Sequence, residues 1–365
     1  MSGAIALQRP PVQHSRMRRT EPIDRGIDEQ ESGAVAPSIP SSARRTWLAA
    51  SAALVAFPRA VLAQSTPKVY RIGILRGVTP DSVRVWDGFF TDLRRFGYLQ
   101  GTNLDLEIRE YGNATRDPDA LASELVRLPV DVIVTGASPA AEAAKRATST
   151  IPIVMTAHPD PVGSGLVSSL ARPGGNVTGL SVVTRELRGK QLQILKEVVP
   201  GVAKVAVLHN PDIPVQVREL KEVEVAGRSL GVRIIAVQAR SVAEFADAFA
   251  AAARERAEAM IAFGGAVFFA NRQQLVGYAG RGRLPVIYSF REFADAGGLM
   301  AYGPSLSESY RRAAWYVDRV LKGAHPQELA VEQPSQFEFV VNTTTAKTLG
   351  LVVPPAVLAR AELVS

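Results

Sequence analysis

The chain has no cysteine in its 365 residues, which excludes disulfides, cysteine nucleophiles, thiolate metal sites and lipid attachment through an N-terminal cysteine. Histidine is almost as scarce: the exported part described below has three, His158, His209 and His325. None has a second His at ligand spacing and no HExxH occurs, so no metal site is expected. A GxxxxGK[ST] phosphate loop and a GxSxG nucleophile elbow are both absent, and no pair of acidic residues stands out for acid and base work. Gly163-Ser164-Gly165 half matches a dinucleotide fingerprint but lacks a strand directly before it, and reads as a turn opening a helix. Neither a cofactor nor enzymatic activity is expected.

Charge is thin as well. Only 21% of residues are charged and the net charge is +7, with no strongly basic helix or run of the kind that binds nucleic acid. The first 63 residues carry 8 Lys plus Arg and 5 Asp plus Glu, so the remaining 302 hold +4. The first forty mix Pro, Ser, Arg and acidic residues without apolar periodicity, the composition of a leader that does not order itself. Arg44 and Arg45 follow, then an apolar stretch over 47–57, Pro58, and Val61-Leu62-Ala63. This is the pattern of an export signal, of twin-arginine or Sec type, cleaved after Ala63 and leading to the periplasm. The apolar stretch is too short for the roughly 20 residues a membrane span needs, so no stable insertion is expected.

What is abundant is apolar residues, at 47%, enough for two cores. From Lys68 onward, short β-branched runs alternate with amphipathic stretches, the signature of parallel strands joined by helical crossovers. Strands are predicted over 71–75, 104–110, 131–135, 151–156 and 177–181, with helices over 82–96, 118–128, 139–147 and 163–170 between them. A helix over 184–199 leads to a second series at 204–208, 233–237, 259–263 and 285–289. The aromatics of the first helix, Trp86, Phe89, Phe90 and Phe96, recur at helical spacing and are expected in the core. The resulting expectation is an α/β protein of two doubly wound parallel-sheet lobes with a multi-crossover hinge. Lobe 1 is assigned 68–181 and 299–322, and lobe 2 is assigned 184–295 and 331–361.

A set of ordered segments carries a resemblance. They include Arg71-Ile72-Gly73-Ile74-Leu75, Ile151-Pro152-Ile153-Val154, Asp160-Pro161-Val162-Gly163-Ser164-Gly165-Leu166-Val167, Arg172-Pro173-Gly174-Gly175-Asn176-Val177-Thr178-Gly179 and Ala296-Gly297-Gly298-Leu299-Met300-Ala301-Tyr302-Gly303-Pro304-Ser305. From Arg71 to about Ala361 the chain resembles the ABC-transporter solute-binding proteins allied to the tryptophan and aromatic amino acid binders. The resemblance implies a type I periplasmic binding fold with three crossover segments. It also implies an amino acid ligand, with an aromatic one favoured, and an ABC permease of the inner membrane as partner to a monomeric binder.

Two departures weaken the ligand assignment: Gly264-Gly265-Ala266-Val267 replaces an Asp-Pro type turn, and His158 stands where relatives carry a smaller or uncharged residue. Rival readings are an exported ligand sensor for a signalling receptor and an α/β enzyme that keeps the two-lobed form. Ligands of such folds sit beyond the carboxyl ends of the strands, which selects loops. Thr79 and Ser82 follow the first strand, Ser82 serving as helix cap or carboxylate ligand. Gly136, Ala137 and Ser138 follow the third and make the best anion site. Asp160 either pairs with a ligand ammonium or closes an Asp-Pro turn. His158 is assigned to its own loop. From the second lobe, Asn210, Phe268 and Tyr288 are expected to reach the cleft, with Phe268 or Tyr288 walling an apolar side chain. Arg311 and Arg312 are read as a solvated helix face.

Overall fold

The computed structural model describes residues 68–77, 82–112, 117–182 and 185–365, without the side chains of 82–84 and 185–186. The predicted leader and signal, 1–63, and Thr79 lie outside the described residues. Among the described residues, twelve strands and twelve α-helices follow in chain order. The first half runs β1 (Tyr70–Gly77), α1 (Ser82–Arg95), β2 (Leu104–Tyr111), α2 (Pro118–Val126), β3 (Val132–Thr135), α3 (Ser138–Ala147), β4 (Ile153–His158), β5 (Val177–Ser181) and α4 (Arg185–Val198). Next come β6 (Lys204–His209), α5 (Pro214–Leu230), β7 (Arg233–Gln238), α6 (Phe245–Arg254), β8 (Ala259–Ala262), α7 (Ala266–Ala270), α8 (Arg272–Arg281), β9 (Val286–Tyr288) and α9 (Arg291–Asp295). The chain ends with β10 (Met300–Pro304), α10 (Leu306–Leu321), β11 (Phe337–Asn342), α11 (Thr343–Leu349), α12 (Pro355–Leu358) and β12 (Glu362–Val364).

β1 to β5 form an all-parallel sheet in the order β2-β1-β3-β4-β5. The remaining seven form the order β12-β11-β10-β9-β8-β6-β7. Strands such as Val132–Thr135 and Ala259–Ala262 are buried at every position, as sheets covered by helices on both faces require. Among the described residues, only β10 and β11 pair antiparallel. β11 enters from the other lobe at the end where β10 leaves, so it runs the opposite way.

The chain crosses between lobes three times: after β5, between β10 and α10, and between Glu332 and β11. Two boundaries read from sequence therefore move. β10, within the 299–322 assigned to lobe 1, pairs with β9 and β11 in the second sheet, while α10 packs on α1, β4 and β5 of the first. Val331 and Glu332, assigned to lobe 2, bond to Leu170 and Gly179 of lobe 1. A crossing falls inside each predicted block because alternating patterns show strands and helices but not which sheet a strand joins. The third crossing is tied down by the Arg312 guanidinium, which donates to Glu332 at 2.8 and 2.6 Å and lies 3.8 Å from the Trp315 ring centre. Arg312 is thus a hinge anchor, not merely a solvated face.

The helix predicted over 163–170 does not form; the segment is a run of turns. Asp160 accepts from the Gly163 amide at 2.8 Å, the Ser164 hydroxyl bonds back to the Asp160 carbonyl, and Gly165 sits at φ 74°. Side chains that satisfy nearby backbone groups compete with helix formation.

At Gly179, in β5, φ is 124° and a Cβ would overlap the Met155 carbonyl oxygen. Gly179→Ala is expected to lower the unfolding free energy by at least about 2 kcal/mol. Urea titration measures it, and an unchanged midpoint would show that β4 and β5 have more room than this packing gives them.

Candidate functional site

A doubly wound sheet opens a crevice where its strand order reverses. In lobe 1 the reversal lies between β1 and β3, whose carboxyl ends carry Arg76 and Gly136. Trp86 from α1 and Tyr310 from α10 reach the same point, crossing edge to face with ring centres 4.9 Å apart. A Cβ on Gly136 would stand 3.0 Å from Trp86 Cζ2 and 3.3 Å from Arg76 Cβ. The missing side chain is what lets these groups converge. The Tyr310 hydroxyl donates to the Gly136 carbonyl at 2.8 Å.

Arg76 lies 5.6 Å from the Trp86 ring centre and donates through Nε and Nη2 to Glu110 at 3.0 and 2.6 Å. Its side chain is 10% exposed, and Nη1 is buried with no protein acceptor. A buried guanidinium edge without a partner is costly and points to an acceptor supplied from outside. Ala137, extended at φ −168°, leads into α3, which begins at Ser138. That helix N-terminus stands beside the cluster.

Lobe 2 reverses between β6 and β8, but there the protein closes its own crevice. Gln216 accepts from the Asn210 amide at 2.7 Å and donates to the Gly264 carbonyl. Beneath it, Arg188 and Glu219 form an ion pair at 2.7 Å with both side chains 2% exposed. Arg188 also donates to Gln191 and Ser289 and lies 4.0 Å from the Phe263 ring centre. The open polar group of this lobe is instead Glu292, on α9 just after β9. Its Oε2 is buried without a hydrogen-bond partner. Burial, with Glu338 and Asp295 adding to it, pushes the Glu292 carboxyl up to about 7. Tyr310 is pushed up to about 12, mainly by burial, and its hydroxyl feels both Glu292 and Arg76. α10 thus stands between a cation of one lobe and a carboxyl of the other.

The residues selected from sequence fall into three groups. Ala137 and Ser138 lie at the lobe 1 cluster; Ser82 begins α1, and Thr79 is outside the described residues. Asp160 is not presented to a ligand: it holds the Gly163 amide and pairs with Arg218 of α5, an ion pair that joins the lobes. Asn210 is held in its own turn, its Oδ1 accepting from the Asp212 amide at 2.9 Å.

Phe268 and Tyr288 do not wall the cleft. Phe268 is 1% exposed and packs edge on to Phe245, while Tyr288, also 1% exposed, stacks on Phe293 at 4.7 Å. Tyr288 borders a small cavity with Val276, Leu284, Gly297 and Leu349, on the flank of lobe 2 under α8 and α11. Both aromatics turn inward because α6, α8 and α9 cover that side of the sheet. His158 stays with its loop as expected, Nδ1 accepting from the Asp160 amide at 3.1 Å. Trp86 is in the core, as read from its helical spacing, whereas the sequence reading missed Arg76, Tyr310 and Glu292 as a set. Arg76 at the end of a strand and the Gly136 loop were the available signals.

With this geometry in hand, the comparisons are specific. The model of the ABC transporter substrate-binding protein family matches residues 71–365. The chain belongs to that family. It is therefore a solute-binding protein and not an enzyme. A tyrosine-binding protein of Clostridioides difficile is 26% identical over 288 residues, covering 78% of this chain and 82% of that protein. A conserved domain protein from Vibrio cholerae superposes with a TM-score of 0.76 at 28% identity, over 82% of this chain and 100% of that one. An ABC domain from Streptococcus pneumonia in complex with L-Trp gives 0.74 at 24% identity, with the same coverage. The two solved structures share the fold of this chain. Among the described residues, no group of His, Asp and Glu could hold a metal ion, and no helix is long and apolar enough to cross a membrane.

Two outcomes follow from the polar contacts. Glu219→Ala, which strands the Arg188 charge, is expected to cost about 3–5 kcal/mol in chemical denaturation, and Arg188→Met with Glu219→Leu to cost clearly less. Arg218→Ala and Asp160→Ala each remove the interlobe pair. Both are expected to raise the radius of gyration in small-angle scattering, and an unchanged radius in both would mean the pair does not hold the lobes together.

Proposed function

We propose that the substrate-binding protein is the exported solute-capturing component of an ABC importer. In this reading it takes an amino acid with an aromatic side chain between its lobes and delivers it to an inner-membrane permease. The observation that carries a carboxylate-bearing ligand is the lobe 1 cluster, where a buried guanidinium edge without an acceptor sits beside a helix N-terminus. A carboxylate suits Arg76 and the α3 amides, while Trp86 and Tyr310, 1% and 5% exposed, pack behind that cation and hold it in place. The tyrosine-binding relative and the L-Trp complex support the same class. Export is supported by the basic and apolar segment 44–63, and periplasmic delivery by the family's role.

Closure is the working step. A solute touching both lobes favours the closed form by its differential affinity for that form, and three crossings let the lobes turn without losing either core. The domain division supported here is β1–β5 with α1–α3 and α10 against the rest.

Isothermal titration with the amino acids, alongside native mass spectrometry of the purified protein, tests the reading. Binding of Trp, Tyr or Phe is expected, weakened at least about tenfold by Arg76→Ala, since hydrogen bonds to charged groups contribute about 1.5–3 kcal/mol. Ser138→Ala is expected to weaken it less. Capture of a sugar or another uncharged solute, with no amino acid bound, would sink the proposal.

A further inference from the structure

The amino acid reading assigns the ligand's carboxylate but leaves its amine without a partner, and Glu292 keeps a buried carboxyl oxygen without one on the protein side. Five elements pack on its helix or reach it. β9 delivers α9 to the carboxyl end of the second sheet, and α9 packs on β10 and β11. α8 begins at Arg272 and β11 carries Glu338, both of which act electrostatically on Glu292. α10 brings Tyr310 from the facing lobe. Arg272 is occupied by the Phe269 carbonyl at 3.0 Å and by the Phe269 ring. Arg291, the neighbouring cation on α9, is taken by Glu362 at 2.9 and 3.0 Å. Asp295 and Glu338 add negative charge around Glu292. Glu338 likewise keeps a buried Oε2 with no hydrogen-bond partner.

A buried carboxyl oxygen and a buried guanidinium edge, each without a partner and both acting on Tyr310, have the polarity of a zwitterion. We propose that Glu292 receives the protonated amine of the bound solute, that this contact restricts the site to amines over their deaminated analogues, and that capture is therefore linked to loss of a proton from Glu292. The inference rests on the amino acid reading above.

The proton follows from the same surroundings. Buried and with two further carboxylates nearby, Glu292 holds its proton up to about 7. An ammonium at Oε2 favours the charged form, so binding expels the proton, and below pH 7 each unit of acidity costs about a factor of ten in affinity. Above pH 7 the carboxyl is already ionised and affinity levels off. In the ligand-free protein the sign runs the other way. A carboxyl raised above its unfolded value contributes stability that is complete below the unfolded value and is lost as the pH rises through about 7.

The test is isothermal titration of wild type and Glu292→Gln at pH 5, 6, 7 and 8 with L-tryptophan, L-tyrosine and L-phenylalanine. Indole-3-propionate, which keeps ring and carboxylate but lacks the amine, serves as the comparison ligand. The expected result is a wild-type affinity that rises about tenfold per unit from pH 5 to 7 and then flattens, a flat profile for Glu292→Gln, and a flat, weaker profile for indole-3-propionate with both proteins. A second readout needs no ligand: wild-type melting temperature falls between pH 6 and 8, and that fall is absent in Glu292→Gln. Equal affinity of wild type and Glu292→Gln for the amino acid at pH 8, or an unchanged slope in the variant, overturns the role of Glu292 while leaving the ligand class standing. No binding of any amino acid at any pH overturns both.

Discussion

The structure depends on one helix that belongs to one lobe by packing and to the other by connectivity. α10 follows directly from β10 of the second sheet, yet it buries Tyr310, Ala313, Ala314 and Val317 against the first lobe. Its amphipathic face satisfies two demands at once. The apolar side completes the cover on β3 to β5, and the Ser305 side chain caps its start by accepting from the Glu308 amide at 3.3 Å. Because α10 cannot leave lobe 1 without exposing that face, the crossings before and after it become the hinge. Arg312, held by Glu332 and stacked on Trp315, sets where the second of those crossings begins.

The same helix makes the site. Tyr310 reaches Gly136 at the strand-order reversal of lobe 1, and its hydroxyl lies within the electrostatic reach of Arg76 on one side and Glu292 on the other. Hinge and ligand crevice are therefore not independent features joined by proximity. They share a residue, so a solute that settles between Arg76 and Glu292 acts on the helix that carries the crossings. That is a physical route from binding to closure: contacts made in only one arrangement of the lobes shift the balance towards that arrangement.

The two lobes solve the crevice differently. Lobe 1 leaves a guanidinium edge unsatisfied where its strand order reverses. Lobe 2 fills the equivalent place with Gln216, which spans Asn210 and Gly264, and buries the Arg188 and Glu219 pair beneath. A buried ion pair is weak evidence for stability, since desolvation offsets much of the attraction, but with Gln191 and Ser289 it fixes α4 against the sheet. Lobe 2 is thus the more self-contained partner, and the carboxyl oxygen it leaves unpartnered lies outward on Glu292.

By itself the sequence determined the strand and helix alternation, nine strands and four of the five helices it bounded to within two residues, the two-lobed class, and the position of the loop Gly136-Ala137-Ser138 at the carboxyl end of β3. These are legible because burial of a parallel sheet demands continuous apolar runs, and because ligand crevices follow strand ends. It gave no means of telling that Asp160 is spent on Arg218, or that Phe268 and Tyr288 turn into the core. Nor did it pair Arg76 with Tyr310 across more than two hundred residues. Those outcomes depend on which side of a sheet a neighbouring helix covers and which lobe a crossing returns to. Both are settled by long-range packing between segments whose local patterns are alike, so only the tertiary structure decides them.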